Sequence, residues 1–232
     1  MSIMVTLPTY NESANILPLI DELLTVQDDI SVVVIDDDSP DGTHRLVRER
    51  QKKDPRVHLI HRTGERGRGT AGAAGFKYAV AQAADLIVEM DADFSHHPRF
   101  LPALLNAAQE ADVVIGSRLM AGGGETGRTF IRRIITHLAN SYIRLVLGLK
   151  VRDCTSGYRV FRRAVLEAIQ LDTLTAKGPA IVQEVLFRCS QHGFRMVEVP
   201  IVFEERRRGK STFNWRILLT GLWSVLKFRF RE

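Results

Sequence analysis

Short β-branched runs alternate with stretches of helical spacing through the first half of the chain. Ile3 to Leu7, Ser31 to Ile35, Val57 to Ile60, Leu86 to Met90 and Val113 to Ile115 read as strands, each a brief apolar run bounded by polar or turn-forming residues. Between them Ala14 to Leu24, Thr43 to Gln51, Ala71 to Ala83 and Arg99 to Gln109 show helical spacing and read as helices. This alternation predicts an α/β fold: a mostly parallel sheet with helices on both faces. Farther on, Arg118 to Arg128 is a Gly-rich loop, Thr129 to Leu147 a long helix and Val151 to Arg159 a polar loop.

Ligands of such sheets collect at the carboxyl ends of the strands, so the residues after each strand carry the functional question. Strand 1 is followed by Pro8-Thr9-Tyr10-Asn11-Glu12, strand 2 by Asp36-Asp37-Asp38-Ser39-Pro40-Asp41-Gly42-Thr43, and strand 4 by Asp91-Ala92-Asp93. Asp41 and Thr43 suit helix capping and turn formation. The stacked acids at 36–38 and 91–93 do not, because neighbouring carboxylates repel unless a cation or donor stands between them. In extended backbone, residues two apart share a side, so Asp91 and Asp93 are expected to face one hard divalent cation.

Composition narrows the class. With 232 residues, 45% hydrophobic and 25% charged, the chain is long enough for one large domain with a terminal appendage and excludes intrinsic disorder. Two cysteines, Cys154 and Cys189, read as reduced thiols rather than a disulfide framework. The net charge of +5 is unevenly placed: eight bases lie between Arg206 and Arg231 with no acid among them, leaving 24 bases against 27 acids elsewhere. An acidic body argues against nucleic acid as a partner. The apolar stretch from Ile217 to Leu226 is half of the roughly 20 residues a helix needs to span a bilayer. It suits either an interfacial amphipathic helix, with Trp215, Trp223, Phe228 and Phe230 at the boundary and the basic side chains on anionic headgroups, or a core-packing helix with a solvated basic end.

Other motifs point elsewhere only weakly. Gly67-Arg68-Gly69-Thr70-Ala71-Gly72 matches a dinucleotide fingerprint, with Asp91 as its acid, but follows the third strand after an arginine-rich loop. Adjacent His96 and His97 point in opposite directions in extended chain and lack partners at zinc-ligand spacing. Arg118, Arg128, Arg132, Arg133, Arg159 and Arg206, directed at one edge, would form a phosphate-binding field.

Taken together, the three acidic loops, Asp93-Phe94-Ser95-His96-His97-Pro98, Gly116-Ser117-Arg118, Asp153-Cys154-Thr155-Ser156-Gly157-Tyr158-Arg159 and Arg206-x-x-Gly209-x-Ser211 resemble the dolichyl-phosphate (polyprenyl-phosphate) mannose synthases. These are inverting family 2 glycosyltransferases of the GT-A fold, and the resemblance runs from about residue 3 to 212. It implies a catalytic domain over 1–211 and an amphipathic, membrane-associated segment over 212–232. It implies mannose transfer from GDP-mannose to a polyprenyl phosphate, with Mg2+ or Mn2+ on the donor diphosphate. Pro8, Tyr10, Glu12 and Asp37 would hold base and ribose, Asp91 and Asp93 the metal, and Arg118 and Arg132 the lipid phosphate. Arg206 would close over the diphosphate, so that Asp93, Arg118, Arg132 and Arg206 form the catalytic set. Ser95 stands where some relatives place a metal-coordinating glutamine, Thr136 where they can offer a serine hydroxyl, and Ser211-Thr212 where they carry Ser-Lys, with Lys210 nearby. A membrane-anchored partner subunit and attachment to the cytosolic face of a membrane follow from the same resemblance. The enzymatic alternative is glucose transfer from UDP-glucose, and the non-enzymatic one a basic module binding membranes or nucleic acid.

Overall fold

The computed structural model describes residues 1–64, 66–205 and 215–230, with side chains of the last segment from 219 onward. The predicted α/β alternation is what forms. Strands β1 (Ile3–Thr9), β2 (Ile30–Asp36), β3 (Val57–His61), β4 (Leu86–Glu89) and β5 (Val113–Ser117) are separated by α1 (Ile16–Leu24), α2 (Thr43–Gln51), α3 (Arg68–Ala81) and α4 (Leu101–Ala107). The long helix α5 (Phe130–Leu147) starts at Thr129, whose hydroxyl accepts the Arg132 N–H, and stops at Gly148 in the left-handed region.

Strand β6 (Gly124–Thr126) forms inside the segment read as a Gly-rich loop; β7 (Arg159–Arg162), α6 (Arg163–Ala168), α7 (Ile181–Gln191), β8 (Met196–Pro200) and β9 (Val202–Glu204) are elements that periodicity left unassigned; and α8 (Trp215–Arg229) is the helix read over Ile217 to Leu226. The main sheet runs β3-β2-β1-β4-β7-β5-β8, and β6 pairs with β9 beside it. β1 to β4 are parallel, whereas β7 lies antiparallel between β4 and β5, with Arg159 opposite both Glu89 and Ile115. β7 therefore begins where its neighbours end, and the loop leading into it joins the carboxyl edge. The strand order also reverses around β1 and β4, opening a crevice between their C-terminal loops.

Successive strand residues alternate between two buried clusters, as a sheet covered on both faces requires. Val5, Leu7, Val32, Val34 and Val88 pack with α1 and α4; Met4, Val33, Ile35, Ile87 and Phe161 pack with α3, α5, α6, α7 and α8. Gly69 is needed for one close approach: a Cβ there would lie 2.2 Å from the Ala176 carbonyl oxygen, so α3 can dock on the 175–180 segment only without one.

Cys154 and Cys189 are unpaired and fully buried. Burial pushes both thiols up to about 12, so little reactive thiolate exists near neutrality. Neither is expected to react with a thiol reagent at pH 8 within the time of complete labelling in denaturant. A rapid stoichiometric reaction in native buffer would contradict that.

Candidate active site

The first two acidic loops lie side by side, since Thr9 of β1 is in register with Asp36 of β2. Asp36 is a structural acid: its oxygens accept the Ser39 N–H at 2.9 Å, the Ser39 hydroxyl at 2.6 Å and the Thr9 hydroxyl at 3.2 Å. Asp37 reaches toward the β3–α3 loop, with Oδ1 2.8 Å from Arg62 Nε and Oδ2 accepting the Gly67 N–H at 2.7 Å. Asp38 bonds His61 and Arg66 at 3.0 and 3.1 Å, and the His61 hydrogen bond holds its carboxyl below the ordinary range. The acids that sequence reasoning left stacked are thus separated by donors from another loop. Pro8 lies within β1, Tyr10 is half-exposed beneath the Arg66 guanidinium, and Glu12 is buried, accepting the Asn15 amide at 2.8 Å.

Asp91 and Asp93 differ from the extended pair expected. β4 ends at Glu89, and the chain from 91 turns, with Phe94 at φ 63°. The two carboxylates are therefore placed by a turn and not by strand alternation. Asp93 is buried, and its Oδ1 accepts both the N–H and the hydroxyl of Ser95, the latter at 2.5 Å. The Ser95 proton is thereby spent on orienting Asp93. Asp91 borders open space and receives Arg68 Nη2 at 3.3 Å. Its backbone N–H donates to Nδ1 of buried His96, so that ring carries its proton on Nε2; burial lowers the His96 pKa despite the nearby acids.

For a divalent cation the hard oxygens of Asp91 and Asp93 fit, one of them opening on a cavity. Asp36, His44 and His61 also bring ligand atoms within 4.8 Å of one another, a grouping that sequence spacing concealed because it spans three elements. Both ring nitrogens of His61 are engaged there, by Arg48 at 3.5 Å and Asp38 at 3.0 Å, and its ring stacks flat on His44 at 4.2 Å. Buried His44 Nδ1 lies 3.6 Å from Asp36 Oδ1 without a hydrogen bond.

The arginines form the opposite side. Arg118 is clamped by buried Asp153, which accepts its backbone N–H at 3.0 Å and its Nε and Nη2 at 2.7 Å each. Burial opposes charge on both partners, but their mutual attraction prevails: Arg118 is held above and Asp153 below its ordinary value. Arg128 bonds Glu125 at 2.7 Å and the Thr136 hydroxyl at 3.0 Å, and Arg118 and Arg128 both lie over Phe203. Arg132 pairs with Glu205. Thr136 sends its own proton back to the Arg132 carbonyl. Arg159 does not join this field: it is fully buried, donating to the Ser156 and Val182 carbonyls. Arg206, Lys210, Ser211 and Thr212 lie outside the described residues.

A cavity of about 780 Å³ joins the two sides. Arg68, Asp91, Arg118, Arg128 and Thr136 line it, as do Ile135, Ala139 and Ile143 of α5, Val182 of α7, and Leu222 and Val225 of α8. Carboxylate, guanidinium and hydrocarbon therefore share one continuous space. The glycosyl transferase family 2 model matches residues 4–170. The chain belongs to that family. It is a glycosyltransferase of the GT-A fold. It is 41% identical over 228 residues to the undecaprenyl-phosphate mannosyltransferase of Micrococcus luteus, covering 98% of this chain and 94% of that one. It is 38% identical over 230 residues to the polyprenol monophosphomannose synthase of Mycolicibacterium smegmatis, covering 98% and 87%. Among solved structures, the mannosyltransferase PcManGT from Pyrobaculum calidifontis, in complex with GDP-Man and Mn2+, superposes with a TM-score of 0.60 at 20% identity, covering 96% of this chain and 63% of that one.

Sequence reasoning did not single out Arg68 and Asp153, and placed Arg128 only in a general arginine field. Arg68 sat inside the discounted glycine motif, and Asp153 and Arg118 are 35 residues apart. Among the described residues, no helix is long and apolar enough to cross a membrane.

Proposed function

We propose that this glycosyltransferase moves mannose from GDP-mannose to a polyprenyl phosphate by metal-dependent displacement with inversion. The observation that carries this reading is the single cavity bordered by Asp91, by Arg118 and Arg128, and by apolar side chains of α5, α7 and α8. A sugar-nucleotide site alone has no need of the hydrocarbon wall, and a lipid site alone has no need of the acids. The two mannosyltransferase relatives and the GDP-Man complex of a structural neighbour point the same way.

In this reading Pro8, Tyr10, Glu12 and Asp37 border the base and ribose, and Asp91 and Asp93 hold Mg2+ or Mn2+. That ion, when bound, supplies positive charge to the leaving diphosphate. Arg118 and Arg132, with Arg128 and Thr136 beside them, receive the acceptor phosphate; Arg206 belongs to the donor side. The acceptor phosphate is already anionic near neutrality, so attack on the anomeric carbon needs no strong general base. What the protein contributes is alignment of the two substrates and charge neutralisation.

Peripheral membrane attachment on the cytosolic side completes the proposal, with residues 212–232 as its amphipathic part. α8 turns Val225 and Phe228 into the core while Leu219, Trp223 and Phe230 are exposed, and α5, packed against α8, exposes Phe130, Ile131, Ile134 and Leu138. Lys227 lies over the Trp223 ring, the aromatic and basic pairing that suits an anionic lipid surface.

The test is transfer of labelled sugar to a polyprenyl phosphate in vesicles, with GDP-mannose and UDP-glucose compared. Metal-dependent formation of a β-linked mannosyl phosphate lipid from GDP-mannose is expected, and an α-linked product would sink the inverting mechanism. Transfer from UDP-glucose alone would replace the donor.

A further inference from the structure

Arg68 opens α3 at the wall of the cavity, 22% exposed, and is held by two carboxylates: Nη1 donates to Glu89 Oε1 at 2.8 Å and Nη2 to Asp91 Oδ1 at 3.3 Å. Glu89 itself is buried within β4. Two glycines from separate elements make room for the guanidinium. A Cβ on Gly157 would lie 3.2 Å from Nη2, and one on Gly72 3.3 Å from Nη1. Burial opposes the charge, but Glu89 and Asp91 outweigh it and hold Arg68 above its ordinary value, so it is cationic at every working pH.

The position gives this cation a task. Glu89, Asp91 and Asp93 bring three carboxylates to the end of β4 and the turn that follows. Arg159 also lies opposite Glu89, but it is fully buried and donates to the Ser156 and Val182 carbonyls. Arg68 is the cation that meets both Glu89 and Asp91 at the cavity wall, where a diphosphate would lie. A divalent cation on Asp91 would take over the carboxylate that now shares Arg68, releasing Nη2 beside the ion, and guanidinium N–H groups bind phosphate oxygens with defined geometry.

We propose that Arg68 is a diphosphate-binding residue of the donor site, a fixed cation beside the Asp91 carboxylate that binds the leaving nucleoside diphosphate together with the divalent ion. This rests on the sugar-nucleotide reading above. The same position makes Arg68 a competitor of the metal for Asp91 when no nucleotide is bound. Its removal therefore has two opposite consequences: weaker nucleoside diphosphate binding and tighter binding of the bare ion. A residue that merely props up the fold would weaken both.

The experiment compares wild type, Arg68→Gln and Arg68→Lys. Mn2+ binding without nucleotide is followed by the electron paramagnetic resonance signal of the free ion, and GDP and UDP binding at saturating Mn2+ by calorimetry. Arg68→Gln is expected to bind the preferred nucleotide about 10- to 100-fold more weakly, the range for hydrogen bonds to charged groups, and bare Mn2+ more tightly. Arg68→Lys, which keeps the charge but not the fork, should fall between. Because Arg68→Gln leaves Glu89 buried without its partner, Arg68→Gln/Glu89→Gln removes the pair as a unit and should show the same crossed pattern. Nucleotide binding unchanged in both Gln variants, with wild type binding normally, would overturn this role for Arg68 and leave the donor reading standing. Parallel weakening of ion and nucleotide would overturn it in favour of a structural role. Wild type binding neither GDP nor UDP would overturn the donor reading and this inference with it.

Discussion

Turnover by an Asp91→Asn variant is expected to fall by about 10²- to 10³-fold, the usual loss when one charge-stabilising group is removed from a transfer site. The substitution preserves shape and the backbone N–H bond to His96, and removes the charge together with one acceptor oxygen. That charge is the carboxylate that borders the cavity, and Arg68 is bound to it. Glu89 remains to hold Arg68 at 2.8 Å, so the fold around α3 should survive. Initial rates at saturating Mn2+, with far-ultraviolet circular dichroism and the melting temperature as controls, make the check. A rate within threefold of wild type in a folded variant would remove Asp91 from the metal-binding role.

The largest effect on stability is expected from Asp153→Asn. Asp153 is fully buried and accepts three hydrogen bonds from Arg118, so the substitution strands a buried guanidinium with Glu125, 3.4 Å away, and the more distant Asp91 to balance it. Breaking one side of a buried pair typically costs about 3–5 kcal/mol, which for a chain of this size corresponds to a fall of roughly 10 °C in melting temperature. Activity should fall as well, because Asp153 aims Arg118 along the cavity wall.

The pH dependence of that loss has a definite sign. Burial alone would raise the Asp153 pKa, but the Arg118 charge and hydrogen bonds outweigh it and bring the folded value below the ordinary 3.8. The unfolded chain therefore takes up the proton first as pH falls. The ion pair's contribution is complete above pH 3.8 and disappears as pH drops through the folded pKa. Wild type and Asp153→Asn should differ most in denaturant midpoint near neutral pH and converge under acid. A constant difference across that range would show that the ion pair is not its source.

How far the site could be read from the chain depends on how local its determinants are. Asp36, Asp37, Asp91 and Asp93 announced themselves because strands of a parallel sheet deliver their following loops to one edge, a rule that needs only the positions of the strands. Tyr10 and Glu12 came with them for the same reason. Periodicity is equally local, which is why Thr43–Gln51 was placed to the residue and the long helix to within one. It failed after residue 150, where β7 is four residues long, β8 is half-buried and α7 is buried nearly all round, so neither a clean two-residue nor a clean helical pattern stands out.

Partnership among charges was beyond that reach. Arg118 and Asp153, Arg68 and Glu89, Arg132 and Glu205, and Arg99 and Glu204 meet across 21 to 105 residues of sequence. The chain by itself determined an α/β sheet with an acidic edge, a field of arginines and an amphipathic end. The tertiary structure alone decided which arginine faces which acid, that Arg159 is buried in the core while Arg68 borders the cavity, and that a turn and not strand alternation presents Asp91 and Asp93. The reason is physical: burial and alternation repeat along the backbone, whereas Coulomb attraction and hydrogen bonding depend only on distances in space.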